Sequence, residues 1–141
     1  MERGYDDEQE DGSVYDVLVV DDDPDSRRVA AKFLSEARLS VREAPDGESA
    51  LAEMRRNPPD VVVLDLMMPV LDGFGVLATM RADATLAGIP VVVLTAKSLT
   101  EAERQFLAST AVRVLQKGEH RLADVATLVL RAAARTRRGG P

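Results

Sequence analysis

Four short apolar runs punctuate the chain: Val17 to Val20, Val61 to Leu64, Val91 to Leu94 and Val112 to Leu115. Each is rich in β-branched residues and bounded by turn residues, which predicts strands buried on both faces of a parallel sheet. A weaker strand is expected around Leu39 to Glu43. Between the runs the pattern changes to helical spacing. Asp25 to Ala37 sets Val29, Phe33, Leu34 and Ala37 on one side of a first helix, with Pro24 in its first turn. The Pro45-Asp46-Gly47 turn leads into a second helix with Ala50, Leu51 and Met54 inward, stopped by Asn57-Pro58-Pro59. A third helix, after Pro69 and Asp72-Gly73, carries Phe74, Val76, Leu77 and Met80 and ends before Gly88-Ile89-Pro90. A fourth, from Leu99 to about Ser109, presents Leu99, Phe106 and Leu107; a fifth, from Leu122 to about Ala134, presents Leu122, Val125, Ala126 and Val129. Such alternation of strand and helix predicts an α/β fold whose right-handed crossovers cover a parallel sheet on both faces.

The apolar runs end in polar groups: Asp21-Asp22-Asp23, Asp65, Thr95 and Lys117. In an open α/β sheet, ligands bind outside the carboxyl ends of the strands, where the strand order reverses, so these residues are expected to converge there. Two unit charges about 4 Å apart repel by roughly 4 kcal/mol at an effective dielectric of 20, so clustered Asp21, Asp22 and Asp65 call for a cation. Mg²⁺ suits oxygen donors and keeps waters that a phosphate can replace. A carboxylate can also act as a nucleophile that carries a phosphoryl group while metal and ammonium neutralise the developing charge. Asp65, Mg²⁺ and Lys117 would supply those parts, and the Thr95 hydroxyl could donate to a phosphoryl oxygen.

Composition narrows the setting. A chain of 141 residues, 45% hydrophobic and 30% charged, fits one domain, with an acidic disordered lead-in over 1–14, the domain over 15–134 and a disordered basic tail over 135–141. The absence of cysteine excludes disulfide and thiolate chemistry. No apolar stretch approaches the roughly 20 residues of a membrane-spanning helix, and Met1 to Gly12 lacks a secretory pattern, so a cytoplasmic protein with no direct membrane contact is expected. The net charge of -6 argues against direct nucleic-acid binding; Arg131, Arg135, Arg137 and Arg138 are read as solvating a helix C-terminus. His120, in an expected loop, is read as an exposed side chain.

The segments VLVVDDDP (Val17 to Pro24), VVVLDLMMPVLDG (Val61 to Gly73), PVVVLTA (Pro90 to Ala96) and LQKG (Leu115 to Gly118) together resemble two-component receiver domains over about residues 16 to 134. The resemblance implies a flavodoxin-like, doubly wound sheet of five parallel strands in the order 2-1-3-4-5 with five helices. It implies Asp65 as phosphoacceptor, Mg²⁺ held by Asp21, Asp22, Asp65 and the Met67 backbone carbonyl, and Thr95 and Lys117 in switch and phosphoryl-binding roles. Asp23 is expected only to cap a helix. The phosphoryl donor would be a sensor histidine kinase or a histidine phosphotransfer protein. Output would pass to another protein or domain through the face made by the fourth helix, fifth strand and fifth helix. The Leu99 to Arg104 and LQKG segments are similar to receivers carried at the C-terminus of hybrid sensor kinases.

Two positions depart from that pattern. Gly118 stands where most receivers have a proline with a cis bond; a cis bond to a non-proline residue costs about 2.5 to 4 kcal/mol, so Lys117-Gly118 is expected to be trans. Val114 stands where receivers commonly carry Tyr or Phe, so no ring is available to swing inward. These departures motivate an alternative: a receiver-like binding module that is not phosphorylated in use. A third possibility, a Mg²⁺-dependent phosphohydrolase, is disfavoured because Met67 rather than an acid stands two residues after Asp65. With Lys97 two residues past Thr95, slow self-dephosphorylation is expected. No G-x-x-x-x-G-K-[ST] segment follows any strand, which excludes a P-loop enzyme.

Overall fold

Alternation within each apolar run sends successive side chains to opposite faces of a sheet, and both faces are used. The computed structural model of the chain describes residues 14–111, 113–119 and 121–139. Strands Tyr15–Val20 (β1), Leu39–Ala44 (β2), Val61–Leu64 (β3), Val91–Thr95 (β4) and Arg113–Gln116 (β5) form one sheet in the order β2-β1-β3-β4-β5, every pair parallel. Helices Pro24–Glu36 (α1), Gly47–Arg56 (α2), Gly73–Ala82 (α3), Glu101–Thr110 (α4) and Leu122–Gly139 (α5) connect and follow them. This is the doubly wound, flavodoxin-like order that the sequence resemblance implies.

One core unites Leu18, Val20, Leu64 and Val93 with Ala50, Met54, Leu77, Met80 and Leu107, which places α2, α3 and α4 on one face. The other unites Val17, Val19, Val63, Val92 and Leu115 with Leu34, Val125, Val129 and Ala133, which places α1 and α5 opposite. Burying each Leu, Val or Met contributes about 1.5 to 3 kcal/mol, so the two clusters supply most of the drive for folding. At the rear of the sheet, Arg42 binds Asp16 through two nitrogens, at 3.2 and 2.8 Å, and donates to Glu53 at 2.6 Å and the Asn57 carbonyl at 2.7 Å. That network ties β2, an edge strand, to β1 and α2.

Several sequence expectations shift. Val29 was expected inward on α1, yet it is 56% exposed. The helical turn of 3.6 residues centres the apolar stripe on Ala30, Leu34 and Ala37, which leaves Val29 just outside it. Leu99 precedes α4 rather than opening it, because Thr100 caps the helix. Its hydroxyl accepts from Glu103 N–H at 3.1 Å while Glu103 accepts from Thr100 N–H at 2.9 Å, a reciprocal capping box. Leu99 still packs on the core. β5 ends at Gln116 rather than Leu115, and α5 continues past Ala134 to Gly139, so the segment expected as tail is helical that far. Alanine and arginine are strong helix formers, which accounts for the continuation. The lead-in as far as residue 13, Val112, His120 and the last two residues lie outside the described residues.

The loop after β3 contains a strained turn. Leu71 N–H donates to the Pro69 carbonyl at 2.8 Å, closing a three-residue turn around Val70, whose φ is 68° and whose side chain is 97% exposed. A β-branched residue in this region costs about 1 to 3 kcal/mol, and an exposed side chain recovers none of it through packing. Val70→Gly removes the Cβ clash and gives back part of that gain as unfolded-chain entropy, for an expected net stabilisation of about 1 kcal/mol. Urea unfolding should show a higher midpoint with an unchanged slope; a midpoint at or below wild type would refute the strain.

Candidate functional site

Strand order reverses between β1 and β3, and that reversal brings their C-terminal ends together. Backbone bonds extend the ladders past the strands: Asp65 N–H donates to the Val20 carbonyl at 3.0 Å and Asp21 N–H to the Ala44 carbonyl at 3.2 Å. Asp21 and Asp65 are thereby fixed side by side, 5% and 7% exposed. With exposed Asp22 they form a cluster in which one carboxylate oxygen from each lies within 4.8 Å of the others. Asp23 stands apart as the N-cap of α1, its side chain accepting from Asp25 N–H at 3.3 Å.

Lys117 follows β5, and its N–H donates to the Thr95 carbonyl at 2.8 Å, continuing the β4–β5 pairing. Its ammonium crosses the crevice. Nζ lies 3.0 Å from Asp21 Oδ2, 3.3 Å from Asp65 Oδ2 and 3.1 Å from Ser26 Oγ. Met67 N–H donates to Asp65 Oδ1 at 3.2 Å, and Asp23 N–H to Asp21 Oδ1 at 3.0 Å. Thr95, fully buried at the end of β4, accepts from Lys97 N–H through Oγ1 at 3.1 Å. The Lys117-Gly118 bond is trans, and Gly118 has φ 86°.

Burial raises the Asp65 carboxyl above the ordinary aspartate value; Met67 N–H and the Lys117 ammonium oppose the rise, and the Asp21 charge adds to it. Burial pulls the Lys117 ammonium down, but bonds and charge from Asp21 and Asp65 outweigh it and hold the group above the ordinary lysine value. Lys117 is therefore a firm cation at neutral pH. Of the three carboxylates, Asp21 and Asp65 bind this ammonium and Asp22 does not, which leaves an excess of negative charge on hard oxygen donors. That donor set fits Mg²⁺, with room left for waters on the exposed Asp22 side.

Two neighbours escaped the sequence reading. Ser26 lies in the first turn of α1 and accepts from Lys117 Nζ. Arg27 donates from Nη1 to the Asp21 carbonyl at 2.8 Å and from Nε to Glu43 at 3.0 Å, pinning the end of β1 to β2. Their only sequence signal is position just after the aspartate run, which marks the first helical turn facing the crevice. A groove of about 310 Å³ opens beside the carboxylates, lined by Ser26, Val29, Lys117 and Leu122 among others.

The family described as response regulator receiver domain matches residues 17–127. The gliding motility regulatory protein of Myxococcus xanthus is 36% identical over 103 residues, 73% of this chain and 13% of that protein. The probable transcriptional regulatory protein TcrX of Mycobacterium tuberculosis is 43% identical over 91 residues, 64% of this chain and 38% of that protein. The chain thus spans well under half the length of these curated relatives. Among solved structures, the receiver domain of a Francisella response regulator superposes with a TM-score of 0.78 at 31% identity, covering 86% of this chain and 98% of that one. The N-terminal domain of a response regulator receiver protein from Methanoculleus marisnigri gives 0.71 at 35%, covering 84% and 98%.

Proposed function

The chain belongs to the response regulator receiver domain family, and from that premise we propose that it accepts a phosphoryl group on Asp65 within a two-component phosphorelay and thereby switches a protein contact. The observation that carries this reading is the Lys117 ammonium bridging Asp21 and Asp65 beside a three-carboxylate cluster. Asp21, Asp22, Asp65 and the Met67 carbonyl would hold Mg²⁺, which when bound supplies charge neutralisation for the phosphoryl oxygens. The donor is the phosphohistidine of a sensor histidine kinase or a histidine phosphotransfer protein. An Asp65 carboxylate oxygen forms a bond to phosphorus as the P–N bond breaks and its electron pair returns to the imidazole. Lys117 steadies a phosphoryl oxygen, and the Thr95 hydroxyl, whose oxygen accepts from Lys97 N–H, turns its O–H to donate to another. The chain catalyses only its own phosphorylation and dephosphorylation, and its exchange with partners is placed in the cytoplasm. Among the described residues no helix is long and apolar enough to cross a membrane. Output passes to a protein or domain through α4, β5 and α5, without direct contact to nucleic acid.

Intact mass after incubation with acetyl phosphate tests the reading. A gain of one phosphoryl mass that needs Mg²⁺ and is absent in Asp65→Asn is the expected result. No gain in wild type, together with equal partner binding by wild type and Asp65→Asn, would favour the unphosphorylated binding module that Val114 and Gly118 suggest.

A further inference from the structure

An ammonium has three N–H bonds to place, and Lys117 places all three: two on carboxylates, one on the Ser26 hydroxyl. Ser26 carries no charge, so it adds nothing to the charge balance that Asp21 and Asp65 already provide. What it adds is direction. The helix start at Pro24, capped by Asp23, sets Ser26 in the first turn of α1, on the side of the crevice facing Lys117. A flexible lysine stem with only two acceptors would leave its third N–H free to turn toward the groove.

We propose that Ser26 is a positioning residue for Lys117, fixing the ammonium against the phosphoacceptor before and during transfer; the inference rests on the phosphoacceptor reading above. When Asp65 is converted to an acyl phosphate, its carboxylate loses its charge and its hold on Lys117 weakens. Ser26 and Asp21 then retain Nζ at the α1 side, within reach of the oxygens it must neutralise. Loss of a bond of this kind removes orientation from the transition state rather than affinity from the ground state.

The test compares wild type, Ser26→Ala and Ser26→Thr in two measurements. In phosphorylation by acetyl phosphate with Mg²⁺, Ser26→Ala should lower the maximal rate about three- to tenfold, with unchanged donor concentration for half-maximal rate and unchanged Mg²⁺ affinity. Ser26→Thr should restore most of the rate, and Ser26→Ala should have no further effect in a Lys117→Met background. The second measurement is NMR of the Lys117 ammonium, which needs no phosphoryl transfer. Ser26→Ala should raise its rotational mobility, and Ser26→Thr should not. A lysine equally ordered in wild type and Ser26→Ala overturns the proposal, as does an equal rate loss with and without Lys117. Absence of any labelling in wild type overturns the phosphoacceptor reading instead, and the ammonium mobility still decides the role of Ser26.

Discussion

Lys117→Met is expected to slow phosphoryl uptake from acetyl phosphate by about a hundred- to a thousandfold, the usual consequence of removing one donor aimed at developing oxygen charge. The same substitution should tighten Mg²⁺ binding. The Lys117 ammonium lies within 3.3 Å of both Asp21 and Asp65, and without it, among the described residues, only the Met67 and Asp23 N–H groups remain to offset the repulsion between the two carboxylates. Burial already raises the Asp65 carboxyl, and losing the ammonium raises it further, so the metal-free variant should be less stable at neutral pH. Bound Mg²⁺ adds stability as the logarithm of its concentration over the dissociation constant, about 2.7 kcal/mol at a hundredfold excess, so the variant should recover its melting temperature as metal is added. Calorimetric titration and thermal melting across a Mg²⁺ series would read both effects. A variant labelled at the wild-type rate would remove Lys117 from phosphoryl binding, and a weakened metal affinity would mean that its charge does not compete with the cation.

Gly73→Ala should be the most damaging single methyl group at this end of the sheet. A Cβ there would lie 2.6 Å from the Asp65 carbonyl oxygen and 2.7 Å from Leu66 Cα, both backbone atoms that cannot rotate away. Gly73 N–H also donates to the Leu66 carbonyl at 3.0 Å, so helix α3 begins in direct contact with the segment that carries Asp65. Relief requires moving one backbone off the other, at an expected cost of about 3 kcal/mol. A displacement of about 1 Å at Asp65 would slow labelling about a hundredfold. Denaturant unfolding and acetyl phosphate labelling at a temperature where the variant stays folded would check both figures. Wild-type stability in Gly73→Ala would show that the contact is loose.

The central strands were legible because burial on both faces leaves a continuous β-branched run: Val61 to Leu64 is buried throughout. β2 reads weakly because it is an edge strand whose exposed positions hold Ser40 and Glu43. The carboxylates, Thr95 and Lys117 were legible because strand ends of an open parallel sheet converge, and a polar residue closing an apolar run is conspicuous. Ser26 and Arg27 were not, since a serine or arginine in a first helical turn has many ordinary uses and only the crossing of Lys117 over the crevice gives either a role. Val29 was misplaced because helical period alone cannot choose between neighbouring stripes. The α4 boundary was readable, since Thr100 and Glu103 have capping-box spacing, but Leu99 drew the helix start forward.

Gly118 ties the shape of its loop to its backbone angle. At φ 86° it occupies a region closed to proline, whose ring holds φ near −65°, although a Cβ at this position would meet nothing within 4 Å. The obstacle to changing this residue is therefore conformational rather than steric. Proline at this position would require the loop to be rebuilt around a negative φ.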